Sequence, residues 1–143
     1  MRPTESAAPG LAGDQAAGVV ARAMEMAAQR GLDIAVAVVD SAGHLLAFQR
    51  DARAFPASVE LAIAKARTAA MFRRDTQAMQ ESLEKGRLSY LALPGALPLA
   101  GGVPLVLEGT VVGAVGISGA ASGEDAELAR KTASVSGGVG ESE

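Results

Sequence analysis

Residues 101–119 read GGVPLVLEGTVVGAVGISG, two apolar runs hinged on the dipeptide Glu108–Gly109. Residues 105–107 and 111–117 are aliphatic and largely β-branched, and each run is too short for a convincing helix, so a tight β-hairpin is expected. Gly113 and Gly116 interrupt the second run. Glycine weakens a strand, and inside one it marks a bend or a place where another backbone or a ligand comes close. Gly101 and Gly102, just ahead of Val103 and Pro104, point to an unusual backbone turn where the hairpin begins.

On the amino-terminal side of the hairpin, residues 87–102 hold Pro94, Gly95 and Pro98 among leucines and keep no period. A stretch of this length is functional or disordered in a compact domain, and Leu88, Tyr90, Leu91, Leu93, Leu97 and Leu99 argue against disorder. It is expected to form a wall or lid of a site. Before it, Pro56 suits the first turn of a helix over 56–72. Leu61, Lys65, Thr68 and Phe72 fall on one stripe of that helix, setting an amine and a hydroxyl between apolar side chains. Six alanines keep the rest of it slim, so it can lie close to a sheet. Arg73 and Arg74 complement its negative end, while Asp75 can cap a second short helix that Gly86 stops.

Residues 34–39 form an almost unbroken apolar run ending in Asp40-Ser41-Ala42-Gly43, a buried strand and a turn. The next strand starts at His44, with His44, Leu46, Phe48 and Arg50 on one face and Leu45, Ala47 and Gln49 on the other. Extended chain separates His44 from Arg50 by roughly 20 Å, so within one subunit they cannot grip the same atom of a small ligand. Nearer the amino terminus, Asp14 is expected to cap a helix that Gly31 ends. After the hairpin, Ser122-Gly123-Glu124-Asp125 resembles a capping box with Asp in place of Glu, opening a helix to about residue 134. Residues 1–13 are expected to be a disordered leader, 14–135 one domain, and 136–143 a flexible tail. Strands in adjacent pairs favour an α/β (α+β) domain, an antiparallel sheet flanked by helices, over a doubly wound fold.

Composition narrows the chemistry. The chain has 143 residues, enough for one real core without staples, and it has no cysteine, which excludes disulfides, thiolate metal sites and a cysteine nucleophile. A single histidine, His44, is too little for a zinc site, though it leaves room for one axial ligand to a haem. A net charge of -3 and 3% aromatic residues give no footprint for nucleic acid. Without a signal-like apolar segment or a run of membrane-spanning length, a soluble, cytoplasmic protein with no membrane partner is expected. No Walker loop, Rossmann fingerprint or Ser-His-Asp order is present, because Gly113 to Gly116 lie within a strand, the wrong place for a phosphate loop.

The segments AVAVVDSAGHLLAFQRDA from residue 35, ASVELAIAKARTAAMF from residue 57, GGVPL from residue 101 and EGTVVGAVGISGA from residue 108 keep an order and spacing that resemble the GlcG/HbpS haem-binding group. That group includes the carboxy-terminal domain of PduO-type proteins, and the likeness spans nearly everything from residue 14 to 134. The resemblance implies a profilin-like fold with a sheet of about five strands, homo-oligomers from dimers to octamers, and a small-molecule pocket between the long helix and the glycine-rich hairpin. Members of the group are described as binding or degrading haem, as tied to cobalamin metabolism, or as enzymes acting on small aromatic metabolites. Two departures stand out: the secretion signal of some haem-sensing members is absent, and residues 90–99 have drifted from an Asn- and Gly-rich form.

Each candidate residue has two readings. His44 stands at the group's Gly-His-Leu position, where an imidazole can ligate haem iron or move a proton, or can simply open a strand through hydrogen bonds. Lys65 and Thr68 match the group's Lys-x-x-Thr pair. A desolvated lysine can hold a carboxylate or form an imine, and a snorkelling one explains the stripe equally well. Arg50 can clamp a carboxylate or pair with Asp51 or Glu60 at the surface. Gly101 and Gly102 can offer backbone amides to an anion, or can mark a turn only glycine fits. Asp40 and Asp125 read as caps, and Glu108 as a solvated turn residue. The leading expectation is a small-molecule binder with haem or another tetrapyrrole as candidate cofactor, contacted by His44, Arg50, Lys65, Thr68, Gly101 and Gly102. The rival is a cofactor-free lyase, isomerase or cyclase of a small metabolite in which Lys65 or His44 moves a proton.

Overall fold

In a computed structural model that describes residues 10–141, with side chains through residue 134, the chain runs α1 (Gly13–Gln29), β1 (Ala35–Asp40), β2 (Leu45–Arg50), α2 (Ala57–Phe72), α3 (Thr76–Glu84), β3 (Gly102–Leu107), β4 (Thr110–Ser118) and α4 (Ser122–Glu141). A 3-10 turn at Leu88–Ala92 lies between α3 and β3. The strands form one antiparallel sheet in the order β2-β1-β4-β3. It has four strands among the described residues, where about five were expected. The hairpin supplies two of them, and Gly119, at φ +133°, then turns the chain directly toward α4.

The hairpin forms as its sequence demands. Glu108 and Gly109 take φ of 52° and 79°, the two left-handed residues of a turn whose twist matches its flanking strands. Gly31, at φ 67°, ends α1 with its own amide on the Ala28 carbonyl and that of Leu32 on Ala27, which satisfies carbonyls the helix leaves open. Asp75 caps α3 by accepting the Gln77 amide at 2.8 Å. Asp14, by contrast, is not the cap of α1. The helix begins at Gly13, and the Gln15 side chain reaches back to the Ala12 amide at 2.8 Å.

Two layers of helix cover the sheet. Val19, Val20 and Ala23 of α1 and Leu128 and Ala129 of α4 bury Val36, Val38, Leu105, Val115 and Ile117 on one face. On the other, Ala62, Ala66, Ala69 and Ala70 of α2 pack on Ala35, Ala37, Val39 and Ala114. Small residues on both sides let that helix approach the sheet closely. The expected leader falls largely on residues outside those described. The last helix continues to Glu141, past the stop expected near residue 134.

One detail changes which face β2 presents. Val38 pairs with Ala47 but Val39 pairs with Leu45, so an extra residue bulges from β2. Cross-strand partners share a face, so Leu45 joins Phe48 and Arg50 on the α2 side, contrary to the simple alternation expected from His44 onward.

Candidate functional site

Lys65 sits on the sheet-facing side of α2, and its side chain is 4% exposed. Its ammonium donates to the Ile117 carbonyl at 3.0 Å, at the end of β4, and to Asp125 Oδ2 at 3.2 Å, in the first turn of α4. Asp125 is equally buried, and its other oxygen accepts the Ala120 amide at 3.0 Å. One buried ion pair therefore ties α2, the end of β4 and the start of α4 together. Burial pushes the Lys65 pKa below its ordinary value and the Asp125 pKa above its own, while each partner opposes the shift of the other. Asp125 is a helix-start residue as expected, but it also has a charged partner sixty positions away that the sequence did not display.

The other polar atoms expected to meet a ligand are engaged within the fold. Thr68 donates to the Ala64 carbonyl at 2.7 Å and accepts the Leu97 amide at 2.9 Å. The Gly102 amide is held by Thr76 Oγ1 at 2.8 Å. Gly101, at φ +130°, lies so close to Lys65 that an added Cβ would stand 2.9 Å from its Nζ. A Cβ on Gly102 would collide with the Lys65 carbonyl, and one on Gly116 with that of Ala62. At these three glycines, where the pocket between α2 and the hairpin was expected, the two elements are in direct contact. The loop over 87–101 is fastened to α2 by the Leu97 amide on Thr68 and to α3 by the Ala100 amide on Gln80 Oε1 at 2.7 Å.

His44 and Arg50 stand apart from this cluster, at opposite ends of β2. The imidazole of His44 is 81% exposed, and its Nδ1 lies 3.7 Å from Asp40 Oδ2. Asp40 Oδ1 meanwhile accepts the amides of Ala42 and His44, both at 2.9 Å, which fixes the turn. Beside that turn, Met71 packs on Gly43, and Arg73 donates to the Ser41 carbonyl at 2.9 Å. Leu45 and Met71 expose apolar surface here. An aspartate four residues before a histidine across a glycine turn was the available sign that Asp40 could orient His44. Among the described residues no three His, Asp or Glu side chains gather as a metal site, and no helix is long and apolar enough to cross a membrane.

Comparison with known proteins agrees with this architecture. Residues 11–134 match the family described as haem degrading protein HbpS-like. Protein GlcG of Escherichia coli (strain K12) is 37% identical over 108 residues, which are 76% of this chain and 81% of that protein. A solved structure of a Streptomyces reticuli HbpS double mutant superposes with a TM-score of 0.83 at 34% identity, covering 94% of this chain and 93% of that one. The crystal structure of a PduOC:heme complex superposes with a TM-score of 0.79 at 25% identity, over 88% and 94% of the two chains.

Proposed function

The chain belongs to the HbpS-like family, and from that premise we propose that it binds a small organic ligand, with haem or another tetrapyrrole as the candidate and His44 as its axial ligand. The observation that carries this is the exposed imidazole on a rigid turn with a carboxylate at 3.7 Å from Nδ1. A ligating histidine is commonly oriented by a carboxylate on its other nitrogen, and Asp40, 3.7 Å away, would take that part by closing on Nδ1, leaving Nε2 for iron. The donor set fits: one imidazole, with the exposed side chains of Leu45 and Met71 beside it as a surface for a flat apolar macrocycle. When bound, the iron would supply redox chemistry or ligand exchange. The protein's share would be to hold the ring and, with Asp40 closing on Nδ1, to set the imidazole tautomer. The heme complex of PduOC, a structural relative, supports the choice of ligand class.

Arg50 enters this reading only as a carboxylate clamp on a ligand shared with a second copy of the chain, because it lies roughly 20 Å along the strand from His44. Lys65, Thr68 and Gly102 are left out of direct contact, since their polar atoms are committed inside the fold. The cofactor-free enzyme gains nothing from Lys65, which would have to leave Asp125 before touching a substrate.

Titration with hemin tests the proposal. A saturable Soret change with an imidazole-ligated ferric spectrum is expected for the wild type. His44→Ala should lose that spectral component and bind at least about tenfold more weakly through the same site. A wild type without saturable binding, or a His44→Ala variant that keeps the imidazole spectrum, overturns the reading.

A further inference from the structure

Ala66 and Thr68 of α2 are fully buried, and Arg67 between them is turned outward. Ile63, Arg67 and Met71 recur at every fourth position, so they form one row along the helix. At one end of the row Ile63 rests, half-buried, on the alanine core, as does Phe48 of β2. At the other, a Cβ added to Gly43 would stand 3.2 Å from the Met71 sulfur and 3.9 Å from the Arg67 Cβ, so both side chains leave the helix against the turn that carries His44. Leu45, on the same side of the sheet, is 49% exposed and Met71 57%. The result is an apolar shelf with an imidazole at its head and a guanidinium rooted beside it. Arg73 also reaches this turn, but it is committed to the Ser41 and Ala70 carbonyls at 2.9 and 3.1 Å. Arg67 has no such partner among the described residues.

We propose that Arg67 makes this site selective for acids: its guanidinium receives a carboxylate at the edge of a ligand whose apolar body lies on Leu45 and Met71. The inference rests on the reading that His44 heads the site, and it adds the requirement that the guest carry a carboxylate, whatever its ring. The residue type fits the task. A guanidinium is always charged, and its planar fork of N–H donors matches a carboxylate with two parallel bonds, which a lysine in the same place would not. The surroundings favour a carboxylate over a phosphate, since Asp40 beside His44 sets a negative charge at the head of the shelf that repels a dianion more than a monoanion. Arg67 thereby supplies, within one copy of the chain, the carboxylate contact that Arg50 could make only across two.

Hemin and its dimethyl ester, which keeps the ring and the iron but has no free carboxylate, separate the acid from the rest of the ligand. The wild type is expected to bind hemin about tenfold more tightly than the ester, the worth of one charge-assisted contact, and this ratio should shrink as salt is added. In Arg67→Gln the ratio should fall to near one through weaker hemin binding, while Arg67→Lys should keep part of it. Arg67 is exposed, so the urea midpoint should stay where it is in the wild type. The imidazole-ligated spectrum should persist in Arg67→Gln with either ligand, because His44 is intact. A ratio near one in the wild type, or a preference that survives in Arg67→Gln, overturns the role of Arg67 and, where the imidazole spectrum is present, leaves His44 standing. A preference that Arg67→Gln abolishes, in a protein whose bound hemin shows no imidazole character, sustains Arg67 and overturns His44 as the ligand. No saturable binding of either compound by the wild type overturns both.

Discussion

Asp125→Ala is expected to cost about 3–5 kcal/mol, seen as a large drop in the urea midpoint, because it leaves the Lys65 ammonium buried without its partner. That is a sizeable share of the ~5–15 kcal/mol by which a domain of this kind is stable. Replacing both partners, as in Lys65→Met with Asp125→Leu, should return the protein to within about 2 kcal/mol of the wild type, since neither charge then needs solvation. The Ala120 amide, which loses its carboxylate acceptor, and the Ile117 carbonyl, which loses the ammonium donor, account for the remainder. If the double variant is as unstable as the single one, the pair serves as something other than two mutually neutralising charges.

The sign of the pH dependence follows from the directions of the shifts. Lys65 is held below the ordinary lysine value of 10.5 chiefly by burial, so between its lowered pKa and 10.5 the unfolded chain binds more protons and stability rises with pH. Asp125 is raised above 3.8, again by burial, so stability falls as pH climbs from 3.8 through the raised value. The pair thus contributes least where both groups are charged. Asp125→Ala removes the two influences that oppose the lysine shift, and Lys65 should then drop further. Urea midpoints taken from neutral pH toward 10.5 should accordingly show the penalty of Asp125→Ala shrinking as pH rises. A penalty flat across that window would mean that the amine finds water in the variant.

The sequence made the local elements readable because each is written in adjacent residues. Glu108–Gly109 specifies its turn, Gly31 and Asp75 end and begin helices, and Pro56 opens α2 where its spacing implies. What it did not show is set by contacts between distant segments. The Lys65–Asp125 pair joins two helices through the end of a strand, and a helix-start aspartate looks the same in sequence whether or not a lysine lies above it. The bulge at Leu45 and Leu46 depends on how the Asp40 turn is tied, which shifts the register by one residue and moves an apolar side chain to the other face. Arg74 and Tyr90 meet only because the 3-10 turn folds back toward the end of α2. For the site, the sequence offers the stripe of Lys65 and Thr68 as ligand contacts or as a snorkelling rim, and in the structure both side chains are buried. Their burial is spent on holding the sheet, loop and last helix in place.

Gly116→Ala should be the most damaging single methyl group that can be added to the hairpin. Gly116 has ordinary strand dihedrals, so its need for glycine is purely one of space: an added Cβ would strike the Ala62 carbonyl and stand 2.5 Å from the Ala66 amide. Both are backbone atoms of a helix and cannot turn aside as a flexible side chain would, so α2 must lift from the sheet. Overpacking of this kind commonly costs 1–3 kcal/mol, and with backbone on the far side about 3 kcal/mol or more is expected by chemical denaturation. Gly123→Ala in the first turn of α4 is the control, because nothing lies within 4 Å of its added methyl and the helix should gain about 0.5 kcal/mol. The displacement also reaches the proposed site, since α2 carries Met71 against the His44 turn. Hemin titration of any folded Gly116→Ala should therefore be weakened, whereas that of Gly123→Ala should match the wild type. Stability within about 0.5 kcal/mol of the wild type for Gly116→Ala, the range of an ordinary surface change, would show that the helix is not seated on the strand at this point.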